Sequence, residues 1–213
     1  MDPAQDTMLF AALATVFTIF FILELRSVLK IVPYLFGCVL RWKYNMEIES
    51  SLQLSRSRDQ VALTLVVPLG MLVYSQDLWS PDIIQGLSPT LRLCAVIAAV
   101  LFQMPLRAFL NWQFESHSLS SKVAQASNGS FYTFLVILFS ILFTASAVTN
   151  AITSNPIISK NISLWVTAIS YGVYVIRRGQ ILSSVCNPFV TFLYLCGLEL
   201  LPAAALVLSA ALL

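Results

Sequence analysis

Apolar runs of membrane-crossing length, one after another, constrain this chain more than any other feature. A helix needs about 20 mostly apolar residues to cross the hydrocarbon of a bilayer, with a range of roughly 17–25. Runs near that length recur at 7–23, 60–74, 91–110, 131–151, 162–176 and 188–213. The composition agrees: 58% of the residues are apolar, 10% are charged, and the mean hydropathy is +0.83. A soluble domain is roughly 45–50% apolar and about 25% charged, so this chain cannot cover a water-facing surface. Soluble enzymes, nucleic-acid binders and disordered tails are excluded. The net charge of +2 offers little attraction to a polyanion. The expected fold is all-α: one polytopic helical membrane bundle over 1–213, with six transmembrane helices.

Residues 1–6 lack a basic region and no small-x-small cleavage site follows 7–23, so that run reads as a retained span. The runs at 60–74, interrupted by Pro68-Leu69-Gly70, and at 162–176 are short. They are expected to be tilted, buried among neighbours or incompletely spanning.

Orientation follows from lysine and arginine in the connecting segments. Arg26, Lys30, Arg41, Lys43, Arg56 and Arg58 lie between the first two runs, Arg107 and Lys122 after the third, and Arg177 and Arg178 after the fifth. Only Arg92 and Lys160 fall on the other side. Ten positive residues against two place both termini away from the cytoplasm.

The segment 24–44 differs in kind. Leu25, Val28, Leu29, Val32, Leu35, Phe36, Val39 and Leu40 form one helical stripe, accompanied by Arg26, Lys30, Arg41 and Lys43 and by Trp42 and Tyr44. Such a helix lies in the cytoplasmic leaflet surface against anionic headgroups, or it packs beneath the bundle as a scaffold. The serine-rich stretch from Asn45 to Asp59 is expected to be a mobile loop and partner contact.

Few groups here can do chemistry. A charge in mid-span costs about 2.5–3.5 kcal/mol on insertion scales, so it marks a functional candidate. Glu199 is the clear case, 11 residues beyond Pro188. Pro202 cannot donate to the Leu198 carbonyl, and Gly197 is expected to admit a neighbouring backbone. A carboxyl beside loosened backbone suits proton or cation binding. A neutral carboxyl hydrogen-bonded to a serine or tyrosine of another span, ordering the bundle, suits the sequence equally. Arg107 either pairs with Glu199 or snorkels to a lipid phosphate, and snorkelling is the commoner arrangement. Arg177-Arg178-Gly179 most simply anchors the fifth span at the interface; the alternative is a headgroup-phosphate site shared with Arg107. His117 lies in a polar loop and reads as solvated. The four cysteines show no Cys-x-x-Cys spacing, which argues against a disulfide framework or metal knuckle. No phosphate loop, His-Glu-x-x-His or Gly-x-Ser-x-Gly occurs, so no catalytic residue, metal or cofactor is expected.

The run Phe192-Leu193-Tyr194-Leu195-Cys196-Gly197-Leu198-Glu199-Leu200-Leu201-Pro202, preceded by Val175-Ile176-Arg177-Arg178-Gly179, resembles the C-terminal signature of a multi-pass membrane family of Bacteroidetes described as a domain of unknown function. Ser55-Arg56-Ser57-Arg58-Asp59 before the second run fits the layout of that family. The resemblance implies an inner-membrane location in a two-membrane bacterium and no particular activity.

Small size, one mid-membrane charge and a basic interfacial helix favour a non-enzymatic accessory, assembly or scaffold subunit of an envelope complex. Its partners would be anionic lipid and other integral membrane proteins or further copies of itself, with no nucleic acid. The alternative is a small proton-coupled or lipid-phosphate transporter using Glu199 with Arg107 or Arg177. On the sequence alone, Glu199→Gln separates them: nearly silent in a scaffold, fatal to a transporter at unchanged abundance.

Overall fold

The computed structural model describes residues 43–114, 121–152, 155–184 and 186–212, with scattered residues between 8 and 41; Lys43, 112–114, 121–124 and 210–212 are described in backbone only. Every regular element among the described residues is helical: α1 (Lys43–Ser50), α2 (Leu52–Ser75), α3 (Asp82–Gln85), α4 (Pro89–Phe114), α5 (Ser121–Ile152), α6 (Pro156–Ser183), α7 (Pro188–Leu195), a π-helical turn (Cys196–Leu200) and α8 (Leu201–Leu212). Among the described residues, three helical stretches are long and apolar enough to cross a membrane: Pro89–Asn111, Gln125–Ile152 and Pro188–Ser209. They contain the expected spans 91–110 and 131–151 and most of 188–213.

The expected spans 60–74 and 162–176 lie inside α2 and α6, helices of 24 and 28 residues. Their polar content sets them apart. α2 opens on Leu52-Gln53-Leu54-Ser55-Arg56-Ser57-Arg58, and α6 carries Lys160, Asn161, Ser163 and the two arginines. The expected span 7–23 falls mostly outside the described residues, as do Arg26, Lys30 and His117.

Two signals start the C-terminal helices. Asn155 and Asn187 each cap a helix with proline in its first turn, accepting from the Ile157 N–H at 3.0 Å and the Phe189 N–H at 3.4 Å. The pairing is favourable because asparagine supplies an acceptor and proline carries no orphan N–H.

The core forms where α2 meets α5. Val61, Ala62, Leu65, Val66 and Leu69 pack against Leu135, Val136, Phe139 and Leu142. Ile31 and Leu35, both from the segment 24–44, belong to the same core, and Cys38 is fully buried. Of these only Leu35 lies on the apolar stripe of the expected interfacial helix, and its burial suits packing beneath the bundle; Arg41 is exposed. α2 is not interrupted at Pro68-Leu69-Gly70. Pro68, Leu69 and Gly70 are all buried inside the continuous helix. At Gly70 two backbones come close: a Cβ there would stand 3.2 Å from the Ile97 Cα.

The stretch from Asn45 to Asp59 departs from the expected mobile loop. It forms α1 and the start of α2, and Arg58, 2% exposed, bridges them. Arg58 Nη1 donates to Glu49 Oε1 at 2.5 Å and Nη2 to Asp59 Oδ1 at 2.7 Å, while the Ser55 hydroxyl donates to Glu49 Oε2 at 3.1 Å. Of the serines that suggest a loop, Ser55 bonds both partners of the buried ion pair instead.

At the other end of α2 the chain turns through Asp77, whose φ of 49° lies in the left-handed region. The Leu78 N–H reaches the Val73 carbonyl at 3.0 Å and the Asp77 N–H the Tyr74 carbonyl at 3.1 Å, the paired bonds of a Schellman ending. Asp77 then pairs with both Arg92 and Lys160, the two positive residues outside the basic side. Partial burial alone would raise this carboxyl, but hydrogen bonds from Lys160 and Ser80 and the charges of Lys160 and Arg92 outweigh it, holding the group below its ordinary value of 3.8. A carboxylate with a depressed folded pKa stabilises above its unfolded value and loses that contribution as pH falls through the folded one. Asp77→Asn keeps a residue that tolerates the left-handed turn. It is expected to lower the melting midpoint in detergent at pH 7, by a margin that narrows at a second pH below 3.8. An equal gap at both pH values would contradict this pairing.

Candidate functional site: a buried ion cluster on Glu199

The site grows from helix direction. Cβ bonds tilt toward the N-terminus of their own helix. α4 and α6 begin at the Asp77 end of the bundle, so Arg107 and Arg178, near their C-terminal ends, project back into the bundle. α7 begins at the opposite end, so Glu199 projects toward them. The residues meet with Glu199 about 16 Å along its helix from Pro188, at 1.5 Å per residue.

Pro202 shapes the approach. Its ring conflicts with the carbonyl four residues back, and the backbone widens to a π turn over Cys196–Leu200, closed by the Leu201 N–H on the Cys196 carbonyl. π turns leave carbonyls without their α-helical donors. The Glu199 carbonyl is taken up by the Tyr171 hydroxyl at 2.9 Å.

The Glu199 carboxylate is 6% exposed. Its Oε1 accepts from the Tyr174 hydroxyl at 2.6 Å, lies 2.8 Å from Arg107 Nη2, and is paired with Arg178. Arg178 is further held by the Ser127 hydroxyl at 3.0 Å, Tyr174 at 3.2 Å and Asn111 Oδ1 at 3.1 Å. Arg107 stacks its guanidinium over Phe131, 4.2 Å from the ring centre. The cluster thus joins α4, α5, α6 and the C-terminal helix through one carboxylate.

Arg107 therefore turns inward to Glu199 rather than snorkelling, because outward reach would oppose the tilt of its own helix. Arg178, not Arg177, is the member of the arginine pair that reaches the carboxylate. Arg177 instead donates to Gln180 on the outside of α6. The interface-anchor expectation thus does not describe Arg178, which is 2% exposed. Pro202 is buried beside the turn. Gly197 admits no neighbouring backbone: a Cβ there would meet nothing within 4 Å. Tyr171 and Tyr174 are not singled out by the sequence, and Arg178 reads there as an anchor, although the i, i+3, i+7 spacing of the three puts them on one helix face.

Among the described residues no three histidine, cysteine or acidic side chains gather as a metal site would require. Fold and site together define an all-helical protein with membrane-length helices fastened by an internal ion cluster. No protein-family model, curated protein or solved structure matches this chain.

Proposed function

We infer that the chain is a non-enzymatic inner-membrane protein acting as an accessory, assembly or scaffold subunit of a bacterial envelope complex. The observation that carries this is the occupancy of Glu199: two guanidinium groups and a phenol of the protein itself already surround the carboxylate. An internally filled site fastens helices, whereas a carboxyl that cycles protons or cations needs an open face. In this reading α2 and α6 and the run 7–23 complete six crossings, with the basic side cytoplasmic and both termini periplasmic. The resemblance to the Bacteroidetes family supports the inner membrane as its location. Arg41, exposed beside the buried face of 31–38, suits contact with anionic headgroups.

The test is purification of a tagged full-length copy from its native host in mild detergent. A larger integral partner in fixed stoichiometry, lost with its complex when the chain is deleted, is the expected result. A monodisperse monomer that transports a solute in proteoliposomes would overturn the reading. The transporter alternative keeps one supporting observation, the surplus positive charge at Arg107.

A further inference from the structure

Two guanidinium groups share one carboxylate in the buried cluster, and they are not equivalent. Arg178 is matched by Ser127, Tyr174 and Asn111 in addition to Glu199. Arg107, 7% exposed, lies close enough to Glu199 to pair by charge, yet none of Nε, Nη1 or Nη2 makes an oriented hydrogen bond to any acceptor among the described residues. Buried donors without acceptors are rare and costly. Beside this arginine lies a cavity of about 280 Å³ between α4 and α5, walled by Met104, Asn111, Asn128, Phe131 and Tyr132. Those five residues are half-buried while Arg107 is buried, so the cavity has an open mouth and a cationic inner end. Its volume sits near the lower bound for small-molecule sites, about 300 Å³.

A neutral occupant leaves the excess charge unanswered; an oxyanion both balances it and accepts from the planar fork of guanidinium N–H groups. Depth selects among oxyanions. Arg107 stands one turn before Asn111, the end of a membrane-length stretch, thus about 6 Å from that end, where phospholipid phosphates lie. Met104 and Phe131 supply an apolar wall next to it.

We propose that the cavity between α4 and α5 binds a phosphate group, with Arg107 turning off the Phe131 ring to meet it and Asn128 contributing its amide at the wall. The phosphate comes from a phospholipid headgroup or from a soluble phosphate. This goes beyond the scaffold reading and does not rest on it.

The test uses full-length protein stripped of lipid in neutral detergent. It is titrated with phosphatidylglycerol, with inorganic phosphate and with diacylglycerol of matched chains, and followed by native mass spectrometry and thermal unfolding. One equivalent of phosphatidylglycerol, but not diacylglycerol, is expected to bind and raise the melting midpoint. Arg107→Gln is expected to weaken binding at least tenfold while keeping Glu199 paired one-to-one with Arg178. Asn128→Asp, which places a competing carboxylate at the wall, is expected to do the same and decides the matter if Arg107→Gln does not fold. Saturation by phosphatidylglycerol alone assigns the headgroup, and saturation by inorganic phosphate assigns a soluble source; either supports the site. Absence of one-to-one binding of both probes, equal binding of diacylglycerol, or binding unchanged in the folded variants would overturn it.

Discussion

Glu199→Gln is expected to destabilise the protein by about 3–5 kcal/mol, the range seen when one partner of a buried ion pair is removed. The sequence alone suggests a nearly silent change in a scaffold, because the amide retains hydrogen-bonding capacity. The structure reverses that expectation: without the carboxylate, Arg107 and Arg178 are left as two like charges, 7% and 2% exposed. The effect should appear as a lower melting midpoint in detergent and lower abundance in the membrane. Adding Arg107→Gln removes one of the stranded charges, so the double variant should recover part of the loss. That coupling is the sign of a direct interaction. A single variant with wild-type abundance but no biological activity would instead favour a transport role for the carboxyl.

Gly129→Ala should be the most damaging of the small substitutions. A Cβ at Gly129 would collide with Glu49 Oε1 and would stand 2.6 and 2.7 Å from the two terminal nitrogens of Arg58. The ion pair between α1 and α2 thus rests directly on the bare backbone of α5. Overpacking a site of this kind costs about 1–3 kcal/mol. Here the atoms forced apart are also a buried guanidinium and its carboxylate, so the upper end of that range is expected. Gly172→Ala is the matched comparison, because a Cβ there meets nothing within 4 Å. Replacing glycine inside a helix without a clash stabilises by roughly 0.5–1 kcal/mol. Melting midpoints moving in opposite directions would bear out the contrast, and equal shifts would contradict it.

The all-helical class is legible in the sequence because apolar run length is a one-dimensional property. Hydropathy alone also finds the three membrane-length stretches, whereas α2 and α6 mix polar and apolar residues in proportions that a linear reading cannot divide between burial and spanning. Glu199 and Pro202 stand out for the same reason, as anomalies inside an apolar run. Their partners do not. Choosing Arg178 over its neighbour Arg177 requires knowing which face of α6 meets the bundle, and the direction of Arg107 depends on which end its helix starts from. The Glu49–Arg58 pair is hidden further. Serine-rich polar sequence reads as loop until α5 supplies the glycine against which the pair is buried.

The π turn at Cys196–Leu200 has a bearing on how this helix tolerates changes in length. A π turn holds one residue more than the α-helix it interrupts, and widens locally instead of rotating everything downstream by a full residue step. The faces of α7 and α8 thus remain in phase across it, and Trp79 Nε1 still finds the Leu206 carbonyl at 3.3 Å and the Ser209 hydroxyl at 3.2 Å beyond the turn. Seen as an alignment problem, the C-terminal helix has a gap position built into it. Sequences related to this one by the loss of a single residue between 196 and 200 would keep both packing faces in register, and would differ chiefly in whether an acidic group reaches the arginines at all.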